Sequence, residues 1–402
     1  MTDSNFIKLK FIANSFSSSI KQMDVQENGS YPVYGASGQV GFLEIYAYDK
    51  RYIGIVKDGA GVGRTNIYEG FSSLLGTMSY IVPINETETN LQYLKYSIDA
   101  LDLANTYGEK ATIPHIYFSV YGNYKILNLS YEKQQELVDF LDKIVNKVDK
   151  LIANQQQQIE KLKEYKQSLI SEVVTKGLNP NIEFKDSGIE WIGQIPKKWR
   201  VIRIKDFTTL KGRIGWQGLN TNDYLEEGPY LVTGTDFSNG NIDWNTCVHI
   251  SEERYDEAPE IHLIENDLLI TKDGTIGKVA IVKGLIGGAS LNSGVLLIRV
   301  LDKFKFDKKF LYFVLQSDSF WIWYNSSQTG SSTIKHLYQN QFSYFSFAFP
   351  GIEEQSEISN YLHRKIDKVD GLISIKKEKI DKLNEFKKSL IYEYVTGKKE
   401  VS

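Results

Sequence analysis

A segment of about 44 residues occurs twice in this chain, and it constrains the fold more than any other feature. Residues 132–175 return at 353–396 without a gap, at a constant offset of 221 positions. About 20 of the roughly 44 paired positions are identical, among them Lys147-Val148-Asp149 against Lys368-Val369-Asp370. Such a repeat indicates that one structural unit is present in two versions. In each version a globular segment comes first and the repeated segment follows it.

Each copy of the repeat is predicted to be a long amphipathic helix. Its apolar residues alternate spacings of four and three, the pattern that forms the seam of a coiled coil. The pattern is interrupted near the middle, at Gln155–Gln158 in the first copy and at Lys376 and Lys379 in the second. The residues predicted to form the seam of the helix pair are Leu137, Leu141, Ile144, Val148, Leu151, Leu162, Tyr165, Leu169, Ile358, Leu362, Ile366, Val369, Leu372, Leu383, Phe386 and Leu390.

The order of segments favours an antiparallel arrangement of the two helices. A helix of about 44 residues is about 66 Å long at 1.5 Å per residue. The first helix would carry the chain away from the first globular segment, and the second would have to run back if it packs against the first. We therefore expect an antiparallel pair with an approximate two-fold axis, and two heads that face opposite ways.

The globular segments have the pattern of mixed α+β domains. Short apolar runs separated by glycine turns predict strands, such as Tyr31–Gly35, Tyr52–Val56 and Met78–Pro83, and Leu91–Leu101 is predicted to be a helix. The same pattern returns after residue 200, with one helix predicted at Lys308–Phe320. The predicted segments are a first head at 1–130, a first helix at 131–178, a linker at 179–199, a second head at 200–351 and a second helix at 352–398.

Composition limits the class of protein. At 402 residues with 42% hydrophobic residues, the chain can bury a core in each of two or three domains. The single cysteine, Cys247, excludes an internal disulfide and a multi-cysteine zinc site. Neither a signal-peptide pattern nor an apolar run of about 18 residues is present, so we expect a cytoplasmic, soluble protein. The net charge of -3 argues against a DNA-binding protein that acts alone.

The sequence contains no recognisable catalytic constellation. The glycine-rich run Lys57–Arg64 lacks the spacing of a phosphate loop or a dinucleotide fold, and its counterpart Lys272–Lys278 keeps only two glycines. His115 and His336 occupy matching positions, but the histidines show no metal-ligand spacing. We expect each of this pair to be a hydrogen-bonded histidine at the junction of head and helix, and the chain to have no catalytic activity.

Two motifs outside the heads carry a resemblance to a known family. The linker reads Asp-Ser-Gly-Ile-Glu-Trp-Ile-Gly-Gln-Ile-Pro-Lys-Lys-Trp at 186–199, after a helix that ends Ser-Leu-Ile-Ser-Glu-Val-Val-Thr-Lys-Gly at 168–177. The second helix opens Pro-Gly-Ile-Glu-Glu-Gln at 350–355. Together these segments resemble the specificity subunit of a Type I restriction-modification system, and the resemblance extends over the whole chain. The Trp-Ile-Gly-x-Ile-Pro segment precedes only the second head, which departs from the family pattern.

The resemblance implies that DNA recognition and catalysis belong to different subunits. Each head would be a target-recognition domain that reads one half of a bipartite DNA site. The helix pair would set the spacer between the halves and dock two modification subunits, which are methyltransferases. S-adenosylmethionine would be bound by those subunits, and ATP and Mg by the restriction subunits that carry motor and nuclease activity, so no cofactor is expected in this chain.

Base readers are expected among polar and cationic residues of the head loops, because such side chains can reach the edges of bases in the major groove. The candidates in the first head are Gly35, Ser37, Gln39, Lys57, Arg64 and Lys110. The candidates in the second head are Lys211, Arg213, Trp216, Gln217, Thr235, Lys272, Lys278, Ser331, Ser332 and Lys335.

Two other classes of protein remain open at this stage. A duplicated adaptor could bind proteins or sugars through its heads and use its helices only for dimerisation. An enzyme could carry a site that the sequence does not reveal. Association with a methyltransferase partner and site-specific adenine methylation would distinguish the three.

Overall fold

The computed structural model describes residues 5–59, 61–101, 103, 115–213, 218–219, 221–301, 305–328 and 335–401. The chain forms two compact units. Unit 1 consists of Met1–Gln157 and Lys376–Ser402, and unit 2 consists of Gln158–Ile375. The two long helices are α3 (Tyr131–Lys176) and α9 (Ile352–Val395), so each unit holds one head and about half of each long helix.

The head of unit 1 is built around a four-stranded antiparallel sheet. Its elements are β1 (Phe6–Lys8), β2 (Ala13–Ser17), β3 (Tyr31–Gly35), β4 (Gly38–Leu43), β5 (Tyr52–Val56), β6 (Thr65–Tyr68), β7 (Ser73–Leu74), β8 (Met78–Pro83), α1 (Leu91–Asp99), α2 (Phe118–Tyr121) and β9 (Lys125–Leu127). The central sheet has the order β2-β8-β5-β6, a second sheet has the order β4-β3-β7, and β1 pairs with β9. Strand β5 is buried along its whole length, as its apolar sequence predicts.

Unit 2 contains the linker and a larger head. Its elements before α9 are β10 (Phe184–Asp186), β11 (Gln194–Pro196), β12 (Arg200–Arg203), α4 (Ile204–Phe207), β13 (Thr208–Lys211), β14 (Leu225–Val232), β15 (Phe237–Ser238), β16 (Asn241–Ile242), β17 (Val248–His249), α5 (Glu252–Asp256), β18 (Leu268–Thr271), β19 (Val279–Ile281), β20 (Ala289–Leu291), β21 (Val295–Val300), α6 (Lys308–Val314), α7 (Asp318–Ser327), α8 (Gln339–Phe342) and β22 (Ser346–Phe349). The sheets have the orders β13-β21-β18-β19-β16-β15, β17-β14-β20 and β12-β22, and β10 pairs with β11 in the linker.

The two heads share one topology although their sequences differ. The order β2-β8-β5-β6 in unit 1 corresponds to β13-β21-β18-β19 in unit 2, and β1-β9 corresponds to β12-β22. In the second sheet of each head, a central strand pairs with one antiparallel and one parallel neighbour, β4-β3-β7 in unit 1 and β17-β14-β20 in unit 2. The duplication that the sequence shows most clearly in the helices therefore includes the globular parts.

The long helices pack antiparallel within each unit. In unit 1 the ring centroids of Phe140 and Tyr394 lie 4.7 Å apart, and Lys387 Nζ lies 2.6 Å from Asp149 Oδ1. Contacts on α9 therefore move toward its start as residue numbers rise along α3. In unit 2, Lys166 Nζ lies 2.7 Å from Asp370 Oδ2. These structures confirm the predicted fold class, two mixed α/β heads in tandem with an antiparallel pair of long helices.

The contacts between the helices are repeated in the two units. Asp149 and Asp370 are equivalent in the repeat, as are Lys166 and Lys387, so each unit contains the same ion pair formed by opposite helices. Within unit 1, Lys376 Nζ donates to Gln155 Oε1 at 3.4 Å, and these two positions are also equivalent in the repeat.

Part of the predicted seam is wrong. Leu137, Leu141, Val148, Leu169, Ile358, Leu362, Ile366, Val369 and Leu390 are buried, and Ile144, Leu162 and Leu383 are half-buried. However, Leu151 and Leu372 are 47% and 48% exposed, and the neighbouring Ile152 and Ile373 are buried in their place. Tyr165 and Phe386 are 49% and 51% exposed, so their assignment to the seam is wrong as well. After Val148 the seam takes a step of four residues rather than three, which carries it through Ile152, Gln155 and Ile159.

The helix predicted at Lys308–Phe320 is also corrected. Two helices occupy this region, because α6 ends at Val314 and α7 begins at Asp318. Ser317 lies between them as the N-cap of α7, in an extended conformation. The sequence Leu-Gln-Ser-Asp-Ser at 315–319 therefore interrupts the apolar pattern that suggested one helix.

Each head shares its core with the ends of both helices. In unit 1 the core contains Leu137 and Leu141 from α3 together with Leu390 and Val395 from α9. In unit 2 the core contains residues of α3 from Leu169 to Val174 together with Ile358 from α9 and Trp199 from the linker. The helices are consequently integral to both heads, because removal of either end would open a hydrophobic core.

Candidate nucleic-acid interface

A cationic loop occurs at the same place in both heads. Lys57-Asp58-Gly59 follows β5, and Lys272-Asp273-Gly274 follows the equivalent strand β18. The glycines have φ angles of 80° and 67°, a conformation that glycine adopts at little cost. The chain after the loop can therefore turn sharply, which leaves each lysine at the end of a buried strand.

A backbone hydrogen bond anchors each loop to the segment that precedes the long helix of its head. The Ile116 N–H donates to the Lys57 carbonyl at 3.0 Å, and the Leu337 N–H donates to the Lys272 carbonyl at the same distance. Positions 116 and 337 are equivalent in the repeat. This hydrogen bond holds the backbone of each lysine, and in unit 2 Lys272 Nζ also lies 3.3 Å from Asp273 Oδ2.

A histidine and an aspartate reinforce this anchor in both heads. His115 forms an ion pair or hydrogen bond with Asp58, and His336 Nδ1 lies 2.5 Å from Asp273 Oδ1. The four side chains are 29–38% exposed, so these contacts lie at the surface of the heads. We call each contact a histidine latch. The prediction that both histidines are hydrogen-bonded is confirmed, and nothing in the sequence indicated their aspartate partners.

In unit 2 the latch borders a cleft of about 310 Å³. The cleft is lined by Gly212, Arg213, Lys272, Asp273, Leu296, His336, Leu337, Tyr338 and Gln339. Gln339 also lines a neighbouring cleft of about 420 Å³, which includes Lys205, Asn340 and Ser343. This part of the head surface thus offers cations and amides in a concave arrangement, the types of side chain that contact DNA phosphates and base edges.

The candidates in the first head lie in two places. Ser37 is exposed in the turn between β3 and β4, Gln39 is exposed at the start of β4, and Lys57 is half-buried directly after β5. Arg64 is exposed, and its Nε donates to the Gly61 carbonyl at 3.3 Å. Gly35 is buried at the end of β3 and has no side chain, so its assignment as a base reader stays a prediction that rests on its backbone groups alone. Lys110 lies outside the described residues.

The candidates in the second head are similarly divided. Lys211, Thr235 and Lys335 are exposed, and Lys272 and Lys278 are half-buried. Lys278 Nζ donates to the Gly234 carbonyl at 3.3 Å, which brings it beside the turn that carries Thr235. Trp216, Gln217, Ser331 and Ser332 lie outside the described residues.

Arg213 is buried, and its guanidinium is hydrogen-bonded to other groups of the head. It is 4% exposed, and its guanidinium donates to the Leu291 carbonyl at 2.7 Å and to Ser290 Oγ at 2.9 Å. Burial, followed by the nearby Arg254 guanidinium, lowers the pKa of Arg213 from its ordinary value. The side chain joins β20 to the segment after β13 and also lines the cleft beside the latch, and its assignment as a base reader stays a prediction.

A buried glutamine joins each head to its long helix, and sequence reasoning missed it. Gln134 in α3 is 4% exposed, accepts from the Asn90 N–H at 2.8 Å and donates to the Leu129 carbonyl at 2.9 Å. Its equivalent Gln355 in α9 is 0% exposed and makes the same kind of contacts. The repeat could have revealed this glutamine, because a glutamine occupies the same core-facing position in both copies.

The heads, their latches and the helix pair define a duplicated two-headed protein with polar recognition loops. Residues 2–161 and 196–385 match the model of the family described as Type I restriction modification DNA specificity domain. The chain belongs to this family.

Individual relatives agree with the family match. The chain is 25% identical over 350 residues to the MjaVIII specificity subunit of Methanocaldococcus jannaschii, covering 85% of this chain and 77% of that protein. It is 21% identical over 326 residues to the EcoBI specificity subunit of Escherichia coli, covering 79% and 67%. A solved structure concerned with complex assembly and conformational transition of the Type I restriction-modification system superposes with a TM-score of 0.66 at 13% identity, over 96% of both chains. The last comparison shows that the fold is shared.

Proposed function

We propose that this chain is the DNA-recognition subunit of a Type I restriction-modification complex, in which each head reads one half of a bipartite site. The observation that carries the proposal is the pair of heads with one topology and different loop sequences, each anchored to the helix pair by the same buried glutamine. A shared topology with different loops is expected of two recognition domains that bind different base sequences within one complex.

The loop after β5 and its equivalent after β18 are proposed to contact DNA. Lys57 and Lys272 would neutralise phosphates beside each half-site, and the exposed polar residues of neighbouring turns would read base edges. The proposed readers in the described part of the chain are Ser37, Gln39, Arg64, Lys211, Thr235, Lys278 and Lys335. Because the chain carries a net charge of -3, much of the affinity for DNA would come from the assembled complex.

The partners proposed for the chain are double-stranded DNA, two modification subunits and the restriction subunits. The chemistry would belong to those partners: S-adenosylmethionine bound by the modification subunits, and ATP and Mg bound by the restriction subunits. This chain would supply recognition and spacing, without catalysis of its own. No helix in the described part of the chain is long and apolar enough to cross a membrane, and we propose a cytoplasmic location, where the host DNA is accessible.

Half-site specificity provides the sharpest test. The chain would be co-purified with its modification subunits, and methylated adenines would be mapped on a randomised DNA library. We expect one bipartite motif for the wild type. Lys57→Ala and Lys272→Ala should each weaken methylation, while exposed Lys283→Ala serves as a control of equal charge change. A swap of residues 36–39 for another loop should alter only one half of the motif. A swap that altered both halves, or neither, would contradict the assignment of one half-site to each head.

The proposed role of the helices as a spacer can be tested by a matched insertion. Seven residues added after Gln157 and seven after Glu378, which are equivalent positions, preserve the seam and lengthen the pair by about 10 Å. At about 3.4 Å per base pair, we expect the preferred spacer to grow by about three base pairs with both half-sites unchanged. An unchanged spacer in an active complex would show that the helices do not set it.

A further inference from the structure

The segment that precedes each long helix carries an exposed tyrosine beside the histidine latch. Thr-Ile-Pro-His-Ile-Tyr at 112–117 corresponds to Thr-Ile-Lys-His-Leu-Tyr at 333–338. Tyr117 is 60% exposed, and Tyr338 is 51% exposed. A single exposed aromatic residue needs no explanation. The same tyrosine at the same place in two heads whose loops differ indicates a task that both heads share.

The latch holds both tyrosines in position. The backbone is extended at Tyr117 and at Tyr338, so neighbouring side chains alternate between the core and the surface. The residue between histidine and tyrosine is 4% exposed in unit 1 and 1% exposed in unit 2. On the surface side, the ring centroids of His115 and Tyr117 lie 4.1 Å apart, and those of His336 and Tyr338 lie 5.7 Å apart. Each tyrosine ring therefore lies beside a histidine that an aspartate holds in place.

The tyrosine hydroxyl is available to a ligand, whereas the aspartate of the latch is already engaged. Neither Tyr117 nor Tyr338 makes a hydrogen bond through its hydroxyl to another residue in the described part of the chain. In unit 2 the Asp273 carboxylate contacts His336 Nδ1 at 2.5 Å and Lys272 Nζ at 3.3 Å. Because this carboxylate is paired with a lysine, its charge is partly balanced, and the surface around the tyrosine can accept an anion.

A second lysine lies at the other end of a short helix that follows each tyrosine. The helices α2 and α8 begin directly after the two tyrosines. The Lys10 N–H donates to the Gly122 carbonyl just after α2 at 2.8 Å, and the Lys205 N–H donates to the Ser343 carbonyl just after α8 at 2.9 Å. Both lysines are exposed. In unit 2 this lysine and the tyrosine line the two neighbouring clefts that share Gln339.

The chemistry and the repetition of these groups select the DNA backbone as their ligand. Lysine ammonium groups and tyrosine hydroxyls donate hydrogen bonds, and phosphate oxygens accept them whatever the base sequence is. Residues that are the same in both heads cannot distinguish two different half-sites. Phosphate groups are present in every half-site, so they are the ligand that a shared set of donors fits.

We infer that one tyrosine and two lysines in each head form a base-independent contact with the DNA backbone, which we call the backbone clamp. Its members are Tyr117, Lys10 and Lys57 in unit 1 and Tyr338, Lys205 and Lys272 in unit 2. The histidine latch positions the tyrosine of each clamp. This inference rests on the proposed function and divides the surface of each head into two parts. The clamp supplies affinity and orientation, and the loops that differ between the heads read the bases.

The test separates the effect of a hydroxyl from the effect of a charge. Complexes of the chain with its modification subunits are titrated with a duplex that contains the wild-type motif, at several salt concentrations. Tyr338→Phe should weaken binding about tenfold, because a hydrogen bond to a charged group is lost, and should leave the slope of log affinity against log salt unchanged. Lys205→Ala should reduce that slope by about one, because one phosphate contact is lost. Tyr117→Phe and Lys10→Ala should give the same results in unit 1.

The positioning role of the latch is tested by rescue. His336→Ala should weaken DNA binding, whereas His336→Asn should restore most of the affinity, since the amide can still donate to Asp273. The matched control is Tyr46→Phe. Tyr46 is 41% exposed and follows β4 at the end of the hairpin opposite its turn. This control should keep the affinity of the wild type.

Mapping of methylated adenines provides the second readout, and both halves of the motif should be unchanged in every clamp variant. Unchanged affinity in both tyrosine variants would overturn the inference and leave the proposed function standing. A changed base preference would do the same, because the tyrosine would then be a base reader. Loss of modification subunits from the variant complexes, counted by native mass spectrometry, would show that the cluster binds protein instead of DNA. Absence of any motif for the wild type would overturn the proposed function itself.

Discussion

The buried glutamine of unit 2 leads to the most direct prediction about stability. Gln355 Oε1 accepts from the Asp307 N–H at 3.0 Å, and its Nε2 donates to the Pro350 carbonyl at 2.9 Å. Asp307 is the N-cap of α6, so this side chain joins the start of α9 to a helix of the head. Replacement by leucine keeps the volume approximately and removes both hydrogen bonds.

The expected cost follows from the two groups left behind. A buried donor or acceptor without a partner costs about 1–3 kcal/mol, and the added apolar burial offsets part of that cost. We expect Gln355→Leu to destabilise unit 2 by about 2–4 kcal/mol. The free energy of unfolding falls by about 1–3 kcal/mol per molar urea, and a unit of this size lies near the upper end of that range. The urea concentration at which half of unit 2 is unfolded should therefore fall by about 1 M.

Fluorescence provides an assay confined to one unit. All six tryptophans of the chain lie between residues 191 and 323, which belong to unit 2. Urea titration followed by tryptophan emission therefore reports the unit that contains Gln355. The matched control is Asn360→Leu, an amide-to-leucine change at an exposed position of α9. A midpoint for Gln355→Leu within about 0.2 M of this control would refute the structural role of the glutamine.

Three further predictions address other parts of the molecule. Asp149→Lys and Lys387→Asp should each destabilise the helix pair by less than about 1 kcal/mol, and the double exchange should restore it, measured as thermal unfolding by circular dichroism. Burial, followed by the Asp236 charge, raises the pKa of Cys247 to about 12. At pH 8 its thiol should therefore react with a disulfide reagent far more slowly in the folded protein than in urea. Equal reaction rates would show that the thiol is not buried. Leu141→Asp places a carboxylate at a fully buried position in the core of unit 1. Hydrogen exchange should then show that this core unfolds together with the adjoining helix. Faster exchange in the helix alone would be inconsistent with a shared core.

The strands of the heads were predictable where apolar residues were continuous. Tyr31–Gly35, Tyr52–Val56 and Met78–Pro83 form strands with the predicted bounds, because short buried strands and their glycine turns leave a strong local pattern. The ionic contacts between the helices were not predictable in the same way. Asp149 and Lys387 are 238 positions apart, and their pairing depends on a register that only the packed helices reveal.

The candidate interface was predictable in part. The repeated Lys-Asp-Gly loop and the matching histidines were visible in the sequence, but nothing local showed that each histidine contacts the aspartate of its own loop. Arg213 illustrates the reverse case. A cation soon after a short strand has the local pattern of a DNA contact, and only the structure shows that Arg213 is buried against β20, since burial depends on strands distant in sequence.

The wrong choice between Leu151 and Ile152 shows the limit of the heptad pattern. Both residues are apolar, so the pattern allowed either to continue the seam. Only the packed partner helix decides that Ile152 is buried and that Leu151 is exposed. The same choice is made in the second copy, where Ile373 is buried and Leu372 is exposed. A spacing of four residues after Val148 and after Val369 is therefore a property of the packed pair, which neither helix sequence specifies alone.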